Sequence, residues 1–279
     1  MKIQNLIENI EGAAGCTAAH GLSFYIETGK HKLLMDLGPS DATLQNAEKL
    51  GVDLTAVDTV ILSHGHYDHS GGILPFARIN PHAVIYLQAS AGDDYYSLDD
   101  LEDGSQEYRY IGIDKGICSL PQVKWIRGDF QIDDGLCLYT VEKRAYEVPF
   151  SNRRMRIRRG ESYVRDEFSH EQFLVIREGD QSILFSGCAH NGILNIMAEY
   201  KRKTGCEPDA AISGFHLMKD SEYTGEEIRD IIEIARELQK YHTIFYTCHC
   251  TSVPAFDIMK EVLGDQLRYV HSGDEITGE

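Results

Sequence analysis

The apolar run Val57–Leu62 leads directly into Ser63-His64-Gly65-His66-Tyr67-Asp68-His69-Ser70-Gly71-Gly72, and no other junction constrains this chain as tightly. A run that is apolar at nearly every position reads as a strand covered on both faces. Three histidines and one aspartate within six residues at the end of such a strand predict a metal-binding loop rather than a histidine-rich surface loop. Imidazole nitrogens and carboxylate oxygens suit zinc, and also iron or manganese. The i, i+2 spacing of His64 and His66 lets two rings converge on one ion, which leaves Asp68 and His69 free to face a second. Gly65, Gly71 and Gly72 permit the compact turn this requires.

The remainder of the 279 residues repeats one pattern twice, strands followed by helices. Leu22–Glu27 and Lys32–Asp36 read as strands around a Thr28-Gly29-Lys30 turn. Leu44, Ala47 and Leu50 mark a short amphipathic helix stopped by Gly51. Further strands are expected at Ala83–Leu87, Val123–Arg127, Leu136–Val141, Phe173–Arg177, Ser182–Phe185, Ala210–Ser213 and Thr243–Tyr246. Asn191 is expected to cap a helix carrying Ile193, Ile196, Met197 and Tyr200. Thr224 and Glu227 form a capping-box pattern before Ile228, Ile231, Ile232, Ala235 and Leu238. Two sheets packed face to face with helices outside satisfy this order. Residues 93–116, acidic and tyrosine-rich, read as an insertion or lid within a single domain spanning 1–279.

Ser63–Gly72 resembles the signature of the metallo-β-lactamase superfamily. His20-Gly21-Leu22-Ser23, Asp36-Leu37-Gly38, Gly187-Cys188-Ala189-His190, Gly214-Phe215-His216-Leu217 and Cys248-His249-Cys250-Thr251 follow in the order of one branch. That branch comprises the archaeal 7,8-dihydropterin-6-methyl-4-(β-D-ribofuranosyl)aminobenzene-5′-phosphate synthases and their bacterial relatives. The resemblance spans nearly the whole chain, with a poor match in the acidic insertion. It implies an αββα sandwich of two mixed β-sheets with helices on the outer faces. It also implies a first metal on His64, His66 and His190, and a second on Asp68, His69 and His249. His190 and His249 both follow expected inner strands, whose ends can converge on the first motif. Many dinuclear members carry a bridging aspartate where Cys188 stands here. Cys188 is therefore either a thiolate ligand or a small buried thiol beside the site.

Asp36 ends a strand running towards the same edge. It either accepts a hydrogen bond from a ligand histidine or simply forms the turn before Gly38. Asp68 and His216 are the catalytic candidates, His216 as a group that approaches substrate or relays a proton. His20 is a weaker substrate-binding candidate. Cys248 and Cys250 are expected to point away from His249, as alternate residues of an extended segment do. His31, His82, His242 and His271 lack such context, and His170 precedes a strand instead of following one. The run Asn152–Gly160 holds five arginines within seven residues. Read as a strand, it projects Arg154, Arg156 and Arg158 from one face. These form an anion-binding wall or an arm to a neighbouring subunit, or else a solvated run paired with the acidic insertion.

Forty-four acidic against 27 basic residues give a formal charge of −17, which disfavours nucleic acid and anionic membranes as partners. No run approaches the roughly 18 apolar residues of a membrane span. The first residues lack the apolar core of a secretory signal, so the expectation is a cytoplasmic protein with seven reduced cysteines. A small molecule is the expected partner, and a homo-oligomer stays open.

One or two divalent ions, zinc first among them, with an open position lower the pKa of bound water from about 15.7 towards 7. The leading expectation is a hydrolase that turns a metal-bound hydroxide on a small anionic or phosphorylated substrate. The branch resemblance implies an alternative, a pterin-type transferase releasing pyrophosphate, with the acidic insertion excluding water. A non-catalytic metal-dependent sensor is the third reading.

Overall fold

Alternating burial along short strands produces two seven-stranded sheets packed face to face. They are seen in a computed structural model that describes residues 1–12 and 15–276. The first sheet runs, in spatial order, Glu275–Ile276, Lys2–Ile7, Ser23–Glu27, Lys32–Met35, Thr59–Ile61, Val84–Gln88 and Val123–Ile126. The second runs Leu267–Tyr269, Ile244–Thr247, Ala210–Ile212, Gln181–Phe185, Phe173–Glu178, Leu136–Tyr139 and Phe130–Gln131. Each sheet combines antiparallel hairpins with parallel strands, so both are mixed.

Successive side chains on a strand face opposite ways, and the cores follow that rule. Leu33 and Met35 point into the layer between the sheets with Phe24, Leu138, Leu174 and Phe185. Leu34 points outward onto Ala47 and Phe76, in the helices Ala42–Lys49 and Ile73–Ile79. On the other side, Val175, Leu184, Ala211 and Phe245 meet the helices Ile193–Thr204, Gly225–Leu238 and Val253–Leu263. The result is an αββα sandwich. The capping box of Thr224 and Glu227 is present, with both reciprocal hydrogen bonds. Asn191, by contrast, is not a helix cap. Gly192 occupies that position at φ 88°, and the Asn191 side chain instead donates to Glu171 and Phe168.

Residues 93–116, expected as an insertion or lid, are built into a third sheet. Tyr95–Asp100 and Gln106–Tyr110 form a hairpin whose first strand pairs with the arginine-rich strand Met155–Arg159, which in turn pairs with Ser162–Arg165. This third, four-stranded antiparallel sheet has its own small core of Tyr95, Ile111, Met155, Ile157 and Phe168. It forms a flap beside the edge at which the inner strands end.

Candidate metal centre

The strands Thr59–Ile61, Gln181–Phe185, Ala210–Ile212 and Ile244–Thr247 all deliver their C-terminal ends to one edge of the sandwich. The loops that follow carry His64, His66, Asp68 and His69, then Cys188 and His190, His216, and finally His249 and Cys250. The loops are tightly folded. Asp36, Ala189, His216 and His249 all adopt left-handed backbone conformations, with φ between 49° and 62°. Such residues cost on the order of 1–3 kcal/mol each and gather where surrounding structure over-determines them.

Six side chains expected as ligands come together there, all less than one-tenth exposed. His64, His66 and His190 offer nitrogens within 4.8 Å of one another. Beside them, Oδ2 of Asp68 stands 3.6 Å from Nε2 of His69 and 3.4 Å from Nε2 of His249. Cys188 Sγ lies 3.1 Å from Nε2 of His69 and belongs to groupings with both His64 and His249, so it occupies the seam between the two clusters. Cys250 does not point away as expected. His249–Thr251 forms a 3-10 turn instead of an extended segment, which swings the Cys250 thiol to the same side as Cys188 and His249. Cys248 packs in the layer between the sheets.

Buried polar atoms are nearly always paired, and an unpaired one costs about 1–3 kcal/mol. Among the described residues, the buried side-chain atoms without a hydrogen-bond partner belong to six residues. Four of them are histidines, orphaned at Nε2: His64, His66, His190 and His249. The other two are Asn5 and Ser186.

The opposite nitrogens explain why several lone pairs are free. The Ser63 hydroxyl donates to Asp36, so Nδ1 of His64 must donate to Ser63 Oγ. Nδ1 of His69 donates to Asp36 at 2.7 Å, that of His190 to Asn152 at 3.0 Å, and that of His249 to Asn9 at 2.8 Å. The rings of His64, His190 and His249 are thereby held in the tautomer that presents Nε2 as an acceptor, the arrangement a metal ligand needs, while Asp36 fixes the orientation of His69. The donor set fits a divalent cation.

Electrostatics divide the site. Burial, reinforced by neighbouring imidazoles, holds His64 and His190 well below the usual histidine range. Burial and His170 bring His66 to about 3. Burial also lowers His249, to about 4, against the pull of Asp68. Burial opposes protonation of His69 too, but the carboxylates of Asp36 and Asp68 together outweigh it and raise the pKa to about 9. Asp68 is held ionised by His69 and His249, although burial opposes this. The second cluster therefore pairs an ionised carboxylate with a cationic imidazole, whereas the first consists of neutral imidazoles.

A cavity of about 430 Å³ opens over both clusters. Its cationic wall consists of Arg109, Arg153, Arg154 and Lys219. Asp99 pairs with Arg109 at 2.6 Å and with Arg154 at 4.0 Å, and Glu227 pairs with Lys219 at 2.7 Å. Arg156 and Arg158 do not contribute. Phe150–Arg154 is a 3-10 helix, and the strand starts only at Met155, so alternation turns Met155 and Ile157 inward and the intervening arginines outward. Arg156 donates to the carbonyls of Arg153 and Met155, and Arg158 to that of Gly160. Exposed His20 stands at the rim, 3.5 Å from Asp68 Oδ2. His216 is half-buried against His190, with its ring at 4.1 Å, and hydrogen-bonds Ser151.

Sequence patterns did not single out Asn9, Asn152, Glu8, Glu171 or Asp166, and set His170 aside. Glu8 accepts from the backbone N–H of His249 and Glu171 from that of His190. His170 accepts from the backbone N–H of Gly65, between His64 and His66.

Residues 16–148 match the sequence model of the metallo-β-lactamase superfamily. The crystal structure of Tm1679, described as a metal-dependent hydrolase of the β-lactamase superfamily, superposes with a TM-score of 0.81 at 30% identity, covering 100% of this chain and 99% of that one. The chain belongs to the metallo-β-lactamase superfamily. Its fold is thus that of a superfamily of metal-dependent hydrolases, and its histidines, aspartates and cysteines are grouped so that they could hold a metal ion. An uncharacterised protein of Methanocaldococcus jannaschii, MJ0448, is 30% identical over 72% of this chain and 74% of its own length. The 7,8-dihydropterin-6-methyl-4-(β-D-ribofuranosyl)-aminobenzene-5′-phosphate synthase of the same organism is 25% identical over 98% of this chain and 95% of its own. Among the described residues, no helix is long and apolar enough to cross a membrane.

Proposed function

We propose that the protein is a metal-dependent hydrolase of a small anionic substrate. The observation that carries this reading is the set of four orphaned Nε2 atoms, three of them on histidines (His66, His190 and His249) that line a cavity walled by arginine and lysine. His64, His66 and His190 would hold a first divalent ion. Asp68, His69 and His249 would hold a second, with the Cys188 thiol between the two. A donor set of imidazole, carboxylate and thiol suits zinc better than manganese. A divalent ion held there would supply Lewis-acid activation of water near neutral pH and offset charge on a departing oxygen.

The chain's own side chains account for the rest. Arg109, Arg153, Arg154 and Lys219 would orient phosphate or carboxylate groups. His216 is kept neutral, near 3, chiefly by burial. The Ser151 hydroxyl reaches both Nδ1 and the carbonyl of His216. A carbonyl can only accept, so Ser151 donates to it, and Nδ1 of His216 donates to Ser151. Nε2 of His216 is then a proton acceptor at the cavity wall.

A second reading is favoured by the near full-length similarity to the dihydropterin synthase. Here the same cationic wall receives a diphosphate, and the flap keeps water out. The two are separated by incubating metal-loaded protein with phosphate and diphosphate esters, with and without an aryl amine. A hydrolase releases product without the amine, whereas a transferase releases pyrophosphate only with it. Failure of every ester and lactone to turn over, with metal bound, would overturn the leading reading.

A further inference from the structure

The segment from Asp166 to Gln172, none of it a ligand in the reading above, touches both loops that carry the first cluster. His170 is fully buried, and its Nδ1 accepts the backbone N–H of Gly65 at 2.9 Å. The proton of a neutral His170 ring must then sit on Nε2, which faces Asp166 Oδ2 at 3.0 Å. Asp166 is itself fixed by accepting the Phe168 N–H at 2.7 Å. Two residues beyond His170, Gln172 donates its backbone N–H to Ser63 O and its side-chain amide to Leu62 O, both at 2.8 Å. On the other loop, Glu171 accepts the N–H of His190 at 2.5 Å, and the Phe168 ring stacks on His190 at 4.6 Å and 5°. His66, Asp166 and His170 could themselves be taken for a metal triad. The hydrogen bonds argue otherwise, because both ring nitrogens of His170 are already engaged and its Nδ1 lone pair is directed at Gly65.

We propose that Asp166 and His170 are positioning residues. They hold the Gly65 amide, and with it His64 and His66, in ligating register before any cation arrives. The inference rests on the first cluster being a cation site, as proposed above. Asp166 sets the tautomer of His170, the tautomer leaves an acceptor for Gly65, and that amide joins the two ligands. Asp166 also follows directly from the flap strand Ser162–Arg165, and Tyr95 of the flap lies on the His170 ring at 4.0 Å. The pair therefore also registers the flap against the metal loop.

The test uses the full chain, stripped of metal and titrated with Co(II) in competition with a chelator. His170→Phe keeps a ring but removes the acceptor, and Asp166→Leu releases the tautomer. Each should weaken the first equivalent of Co(II) by about 10–100-fold, the scale of outer-sphere losses. His170→Asn and Asp166→Asn each retain an acceptor and should stay near wild type. In the metal-free protein, hydrogen exchange at the Gly65 amide should accelerate in the first two variants and not in the last two. If one variant fails to fold, the other of its pair carries the comparison. Wild-type Co(II) affinity and Gly65 protection in folded His170→Phe or Asp166→Leu would overturn the proposal while leaving the metal reading intact. A wild-type chain that binds no Co(II) would overturn both.

Discussion

The carboxylate of Asp36 stands 2.7 Å from Nδ1 of His69, and both groups are fully buried. The same carboxylate accepts from the backbone and hydroxyl of Ser63, and Ser63 accepts from His64. One anion therefore orients a ligand from each proposed cation position. Asp36→Ala would leave three donors unpaired. Loss of one partner of a buried pair costs about 3–5 kcal/mol, and loss of an outer-sphere partner about 10–100-fold in metal affinity. Urea unfolding of the metal-free protein and chelator competition should show both effects. An Asp36→Ala protein of wild-type stability would contradict this role.

Cys188 occupies the seam between the clusters, within reach of His69. Loaded with two equivalents of Co(II), the protein should show a sulfur-to-cobalt charge-transfer band in the near ultraviolet. Cys188→Ser should lose the band and weaken the second equivalent about tenfold or more, with the first unchanged. A band that persists in Cys188→Ser would assign the thiolate elsewhere, Cys250 being the adjacent thiol.

The corrected register of the arginine run changes which residues matter. Arg109→Ala or Arg154→Ala should raise KM for a phosphorylated substrate by about 10–100-fold, since a hydrogen bond to a charged group is worth about 1.5–3 kcal/mol. Arg156→Ala and Arg158→Ala, which turn away from the cavity, should leave KM within about twofold. Steady-state kinetics on the four variants makes the comparison.

Far from the site, His31 links Asp58 in one half of the sandwich to Asp133 in the other, at 2.8 and 3.0 Å. Burial lowers its pKa and is the largest single influence, but the two carboxylates outweigh it and raise the pKa above the ordinary value. A raised folded-state pKa contributes stability that is fully present below the unfolded value of about 6.5. It is lost as pH climbs through the folded value. His31→Ala should therefore cost about 1 kcal/mol at pH 6, after allowance for solvent screening, and distinctly less at pH 9. Urea midpoints at the two pH values measure it. An equal cost at both would contradict the ion-pair account.

Much of this architecture can be read from residue order, and the exceptions share a cause. The inner strands are legible because each is a short apolar run, buried on two faces and ended by glycine or a turn residue. The motif from His64 to His69 is legible because its ligands are adjacent in sequence. Asn9, Asn152 and His170 are not, because each hydrogen-bonds a residue across a large sequence gap, and Asp166 acts only through His170; no periodicity marks any of them. The misjudged faces of Arg156, Arg158 and Cys250 have a local origin. In each case a 3-10 turn, at Phe150–Arg154 or at His249–Thr251, resets an alternation that an extended chain would have continued. The pairing of the acidic insertion with the arginine-rich run escaped notice because the four strands of that sheet come from two segments about fifty residues apart.

Crystals of the zinc-reconstituted protein, measured on both sides of the zinc absorption edge, address the central claim most directly. The account predicts an anomalous peak at zinc–nitrogen bond distance, about 2.0–2.1 Å, from His64, His66 and His190 together. Zinc bound elsewhere, with those three rings hydrogen-bonded to water, would contradict it.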